Sequence, residues 1–396
     1  MLNKIRVAHI GPHPEQHCGI SRYYEFLSQA LREHPEVDLS EFWVEEARST
    51  QDEKHLLSIC QAVASHHCDI THFQFADGTF RKDKSEGFVD FTEDHASLLS
   101  MSGRVVVTLY ELGPRLVSAN RLPIDSAKAT PEIKQRIRKS LTKQISLLLD
   151  VASGVIVHTE EQRQYLVEDL DFGRIVRDRK ILIEIMRQGG AYLPSDFFAQ
   201  RTALRSEMRS TYGISPDDIV LIHHGFVRPN KMRYDILPIL ELRPNLVLLL
   251  AGGPRQESHE SFRDNLLIRA KEKSLRVICT DWVPKEDIPK VFAAADIAVL
   301  PYDSGSDSNV LQTGLVFGLP TVTSDLYCFK TAKDRYGDCI ASCSSQQEFE
   351  EKVLELVDNP SIRDRMSKAT QRMRDLDSWN AIADKTVEFY HKILSR

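Results

Sequence analysis

Residues 295–324 read ADIAVLPYDSGSDSNVLQTGLVFGLPTVTS, and this stretch constrains the fold more than any other. Four consecutive apolar residues, Ile297 to Leu300, are short and unpatterned in the way of a strand buried on both faces of a parallel sheet. Pro301 breaks the run, small polar residues follow, and a helix is predicted from near Ser308–Asn309 to Gly318. Pro320 then opens another strand-like run. A strand that releases its chain into a polar loop above a helix N-terminus is where an α/β protein places an anion such as phosphate.

The rest of the chain repeats this rhythm. Arg6–Ile10 reads as a strand and is followed by the loop GPHPEQHCG. Residues 20–33 then put Ile20, Tyr24, Leu27 and Leu31 on one helical face. Further strands are predicted at 69–73, 104–109, 153–157 and 180–185, and a long helix at 133–150. Thr159 is placed to cap a helix starting at Glu160. The charged, glycine-containing patch 77–91 reads as a surface excursion. From Ile214 a second series begins: a strand in IVLIHHG, a helix over Met232–Leu242, a strand in NLVLLLAGG, a strand at Leu275–Thr280 and a helix at Glu286–Ala294. Alternating strands and helices in both halves predict two doubly wound, Rossmann-like α/β domains facing a central cleft. The expected division is 1–200, 214–375, and a terminal segment 376–396 that includes a helix from Trp379 to Leu394 packing back toward the first domain.

With 396 residues the chain is long for one core and comfortable for two. A formal charge of −6 supplies no general attraction to nucleic acid, and 131–139, PEIKQRIRK, is locally basic: a solvated helix face or a patch facing a membrane or acceptor. No apolar run approaches the roughly 20 residues that span a bilayer. MLNKIRVAHIGP enters a strand without a signal peptide's apolar segment, and the seven cysteines include no CxxC pair. The expectation is a cytoplasmic protein without a disulfide framework.

Several loops carry chemistry. GFVRPNK puts Gly225 after a strand and Lys231 before a helix; Lys231 offers a point charge to phosphate and Arg228 a planar fork. Glycines 252 and 253 end the neighbouring strand, as a simple turn or as room for a nucleotide. Asn309, with Gln312 three residues on, is a candidate helix cap, and the N–H groups around Ser308, Asn309 and Val310 are candidate diphosphate donors. In the first half, Gly19 precedes a helix and permits close approach. Tyr110 and Glu111 follow the strand RVVVTL and His158 follows SGVIV: Glu111 to orient a hydroxyl or act as a base, Tyr110 to bond a sugar or pack beneath it, His158 to orient or stabilise charge. His13 and His17 lie among prolines and glycine, and no DxD, HExxH or thiolate cluster calls for a metal.

Taken together, HIGPHPEQHCGISRYYEFLSQAL, DITHFQF, VVVTLYELGP, GVIVHTEEQRQYL, HHGFVRPNK, LLLAGGP, DWVPKEDIPKVFAAADIAVLPY and SNVLQTGLVFGLPTVTSD resemble the retaining GT-B glycosyltransferases, family 4 in particular. The resemblance implies transfer of a sugar, without a metal or other cofactor, from a nucleotide diphosphate sugar to a hydroxyl-bearing glycan or glycoconjugate acceptor. It implies Gly19, Arg228, Lys231, Ser308, Asn309 and Val310 on the donor, and Tyr110, Glu111 and His158 near the reacting groups. The implied route is front-face attack, the leaving phosphate taking the acceptor proton. Peripheral membrane contact is compatible with such an acceptor.

The chain departs from the family's pattern at identifiable positions. Two glutamates usual around the last loop and helix fall at Gly305 and Thr313, with Asp307 nearby. The common basic residue early in GFVRPNK falls at Phe226, and Tyr110 stands where many relatives have histidine. Two alternatives therefore stand beside transfer: a nucleotide-sugar epimerase or related GT-B enzyme, and a catalytically weakened regulatory or partner subunit. A nicotinamide-dependent oxidoreductase is disfavoured because no GxGxxG follows the first strand.

Overall fold

The computed structural model describes residues 4–13, 19–44, 52–75, 91–110, 112, 131–254, 259–305 and 308–396. Most of the 77–91 patch, together with His17, Glu111 and Asp307, lies outside them. The chain divides into two compact units, Met1–Gln188 with Trp379–Arg396, and Gly189–Ser378. That division falls shortly before the interval 194–216 in which the sequence suggests a boundary.

The first unit is built on strands β1 (Ile5–Pro12), β2 (Val37–Val44), β3 (Ile70–Phe75), β4 (Arg104–Leu109), β5 (Ala152–Val157) and β6 (Leu182–Ile185). They form one parallel sheet in the order β2-β1-β3-β4-β5-β6. Helices Gly19–Glu33, Asp52–Ser65, Glu93–Ser100 and Pro131–Val151 occur between strands, and Trp379–Leu394 ends the unit. The last helix buries Trp379, Ile382, Val387, Tyr390 and Ile393. It packs so closely on β5 that a Cβ at Gly154 would lie 2.5 Å from Ile393 Cδ1. Only glycine leaves that space.

The second unit holds β7 (Ile219–His224), β8 (Leu246–Ala251), β9 (Val277–Cys279), β10 (Ile297–Leu300), β11 (Thr321–Ser324) and β12 (Ile340–Cys343). Their order is β12-β11-β10-β7-β8-β9, again all parallel. β8 and β10 are buried along their whole length, which is why they read as unbroken apolar runs. The helix expected over Met232–Leu242 is reduced to Leu237–Glu241, preceded by a single 3₁₀ turn at Pro229–Lys231. Competing bonds take the intervening backbone: Arg233 N–H donates to Pro301 O at 2.6 Å and Asp235 N–H to Gln346 Oε1 at 2.8 Å.

Candidate functional site

In the second sheet the order reverses between β7 and β10, which are paired neighbours whose onward connections run to opposite sides. A doubly wound sheet opens a crevice at the carboxyl ends of such a strand pair. The loops leaving these two strands are GFVRPNK and PYDSGSDSN, and they are stitched together. Asp303 N–H donates to Asn230 O at 2.9 Å, Asn230 Nδ2 to Ser304 Oγ at 3.2 Å, and Arg233 N–H to Pro301 O at 2.6 Å. The β7 loop is also tied to the end of β8 through Gly225 N–H to Ala251 O and Val227 N–H to Gly253 O, both 3.0 Å. Gly252 has φ +149°, and a Cβ there would stand 2.1 Å from Gly225 O. The close approach of these two loops requires glycine at 252.

The loop that carries Lys231 and the start of the Asn309–Val316 helix both follow the carboxyl ends of this strand pair. The Lys231 ammonium lies over the ring of buried Tyr302, 3.6 Å from its centroid. Burial lowers the neighbouring His223 to about 4, and the Lys231 charge adds to the effect, so that imidazole is neutral at physiological pH. Arg228 is nearly buried, its guanidinium carbon 6.0 Å from the Phe226 ring centroid. Val310 packs on the β7 turn: its Cγ2 would be 3.3 Å from a Cβ at Gly225.

The cap differs from the sequence expectation. Ser308, not Asn309, is the N-cap residue, its hydroxyl accepting from Leu311 N–H at 3.2 Å. Asn309 is the first helical residue and turns its amide to Gly189 O at 2.7 Å. Its extended φ, ψ of −140°, 95° suits Ser308 to the cap, whereas Asn309 already has helical geometry. Thr313 joins the same contact: Oγ1 donates to Asn309 O at 2.8 Å and accepts from Ala191 N–H at 3.0 Å. Thr313 is therefore buried beneath residues 189–191, while a Cβ at Gly305 would meet nothing within 4 Å.

In the first unit, Gly19 begins the Gly19–Glu33 helix. Tyr110 is buried, and its hydroxyl donates to Gln74 Oε1 at 2.6 Å. His158 is fully buried against the Tyr110 ring, with Nδ1 2.8 Å from Met186 O. These residues belong to a polar layer that sequence reading missed. Gln74 Nε2 lies 2.7 Å from His9 Nε2 and 3.1 Å from His72 Nε2, while His9 Nδ1 meets Ser28 Oγ at 2.8 Å and His72 Nδ1 meets Tyr390 OH at 2.6 Å. His72 Nε2 also lies 2.7 Å from Thr108 Oγ1, and the Gln74 amide oxygen accepts from Tyr110. Burial keeps both imidazoles neutral, pushing His72 down to about 3 and His9 well below its usual range. The available signal was the spacing of His72 and Gln74, two apart on one face of β3 and in register with His9 and Thr108.

Among the described residues no cluster of three His, Cys, Asp or Glu side chains is arranged to hold a metal ion, and no helix is long and apolar enough to cross a membrane.

Comparison with known proteins places this geometry in context. Residues 205–373 match the family model for glycosyl transferases group 1. A D-inositol 3-phosphate glycosyltransferase of Nocardioides sp. is 23% identical over 267 residues, 62% of this chain and 55% of the relative. The matches span about half the length, or less, of such curated relatives. Anabaena HepE in complex with UDP and glucose superposes with a TM-score of 0.66 at 12% identity, covering 98% of this chain and 99% of that one. Sucrose-phosphate synthase from Thermosynechococcus elongatus gives 0.66 at 13% identity, with 99% and 100% covered. The chain has the GT-B fold of two Rossmann-like domains.

Proposed function

We propose that this protein is a retaining, hexosyltransferase-type glycosyltransferase that moves a sugar from a nucleotide diphosphate sugar to a hydroxyl-bearing glycan or glycoconjugate acceptor. The observation that carries the reading is that the Lys231 loop and the capped N-terminus of the Asn309–Val316 helix follow the carboxyl ends of β7 and β10, with Val310 packed on Gly225. Positive charge and oriented N–H groups at the same end of this strand pair suit the diphosphate of a donor. The match of residues 205–373 to the group 1 family model supports the same assignment. In this reading Arg228 and Lys231 hold the diphosphate with the N–H groups of Ser308, Asn309 and Val310, and Gly19 allows close approach in the first unit. Lys231 stabilises the charge that grows on the departing nucleotide. The leaving phosphate oxygen takes the acceptor proton as the acceptor oxygen bonds the anomeric carbon on the same face, so the configuration is retained. Tyr110, Glu111 and His158 shape the acceptor side. The reaction uses no metal, and its setting is cytoplasmic glycan or glycoconjugate synthesis, with peripheral membrane contact where the acceptor is a lipid conjugate.

The test is a screen of nucleotide sugars for protein-dependent nucleotide release, with and without acceptor pools. Release that depends on acceptor, with a new glycosidic bond of retained configuration, is expected. Isomerised nucleotide sugar formed without acceptor would move the assignment to an epimerase. A partner-subunit reading is favoured by one observation, the use of Thr313 to hold residues 189–191 where the family pattern has a carboxylate. It predicts no turnover by the purified chain and a raised rate in a partner transferase.

A further inference from the structure

We propose that Tyr302 is a positioning residue whose ring holds the Lys231 ammonium at the N-terminus of the Asn309–Val316 helix, ready for the diphosphate of a nucleoside diphosphate. The inference rests on the donor reading above and adds a residue to it.

Three observations carry it. The ammonium nitrogen stands 3.6 Å from the ring centroid, well inside the range of a cation–π contact. The ring cannot swing away: Tyr302 is buried, its N–H donates to Leu300 O at 2.9 Å, and its carbonyl accepts from Ser324 Oγ at 2.6 Å. His223 and Phe329 flank it, with ring centroids 6.1 Å and 5.5 Å away. Finally, the start of the helix packs on the loop that carries Lys231: Val310 Cγ2 would stand 3.3 Å from a Cβ at Gly225. The lysine loop is thereby held against the helix end where an anion is expected.

The choice of an aromatic partner has a chemical consequence. A carboxylate would neutralise the ammonium and occupy its N–H groups. A ring face attracts the cation through its quadrupole without itself neutralising the charge. It also orders a long, rotamer-rich stem before the ligand arrives, which lowers the cost of binding. The stitching of Asp303 N–H to Asn230 O keeps the backbone beside Tyr302 and the backbone beside Lys231 in fixed relation.

The experiment titrates UDP, ADP and GDP separately into the full chain and into Tyr302→Phe, Tyr302→Leu, Lys231→Ala and the Tyr302→Leu/Lys231→Ala double variant, with thermal unfolding measured alongside. Tyr302→Phe should bind within about twofold of the wild type, because the ring face remains. Tyr302→Leu should weaken the bound nucleotide by about threefold to thirtyfold and should add nothing on the Lys231→Ala background. Equal or tighter binding by Tyr302→Leu overturns the inference, as does an undiminished loss in the double variant, which would mean that the ring acts through packing. A wild-type chain that binds none of the three nucleotides overturns the donor reading and this inference with it. Should Tyr302→Leu fail to fold, NMR of the ligand-free wild type and Tyr302→Phe decides the matter. Upfield ring-current shifts of the Lys231 ε-methylene protons are expected in both, and ordinary shifts in either overturn the proposal.

Discussion

At the scale of single residues, the β7/β10 crevice separates side chains that serve a ligand from side chains that serve the fold. Lys231 sits on a loop over the buried Tyr302 ring, so Lys231→Ala should cost stability no more than that one contact, about 0.5–2 kcal/mol. It should weaken nucleoside diphosphate binding by about 1.5–3 kcal/mol, the worth of a charge-assisted hydrogen bond. Calorimetric titration beside a thermal melt checks both halves; unchanged affinity would remove Lys231 from the site. Ser308 and Asn309 are adjacent but differ in kind. Ser308→Ala deletes the cap on Leu311 N–H and should cost about 0.5–2 kcal/mol of stability without any ligand. Asn309→Ala deletes the bond to Gly189 O instead, leaving the helix cap in place. Its melting temperature should fall less than that of Ser308→Ala, and the reverse order would show that the 189–191 segment, not the cap, governs this helix.

At the scale of elements, strands buried on both faces were legible because burial leaves a contiguous apolar run, as in Ile297–Leu300 and Leu246–Ala251. The edge strands β2 and β12 were not: one is half exposed with mixed residues, and the other, IASC, has small, partly buried residues at its centre. The Met232–Leu242 helix failed for a different reason. Its apolar spacing suited a helix, but tertiary bonds from Arg233 and Asp235 outbid the local preference. The Lys231 loop could be placed at a strand end from sequence, whereas its contact with Tyr302 depends on two loops folding together. The polar layer on β1, β3 and β4 was missed because the spacing of His72 and Gln74 puts them on one face of β3 without saying that this face is buried. That layer has a measurable consequence. His9 and His72 have folded-state pKa values below the unfolded value of about 6.5, so below that pH the unfolded chain binds more protons. Their contribution to stability is complete above about pH 6.5 and is lost as pH falls toward 3, the value for His72. Each histidine should remove about 1.4 kcal/mol per pH unit in that window. Denaturant midpoints at pH 7.5, 6 and 5 should fall in order, and His72→Gln should flatten the trend. A pH-independent midpoint would mean that the imidazoles are solvated.

At the scale of the whole molecule, the two units own their chain differently. The second, Gly189–Ser378, is continuous and has its own apolar core around β7, β8 and β10. The first is completed only by Trp379–Arg396 from the far end of the sequence. That helix brings the Tyr390 hydroxyl to His72 at 2.6 Å, packs Trp379 against Tyr23 and Phe26, and covers Gly154 with Phe389 and Ile393. Removing it would strip large apolar side chains from the first unit and leave one end of the buried histidine layer unpaired, and each of these is a severe mechanism of destabilisation. The second unit loses none of its own core contacts. Deletion of 379–396 should therefore abolish hydrogen-exchange protection in β1, β3 and β4 while β7, β8 and β10 keep theirs. A melt should show the surviving transition at an unchanged temperature. Equal loss in both sheets would mean that the second unit does not fold on its own contacts, and full protection in both would mean that the helix merely decorates the first.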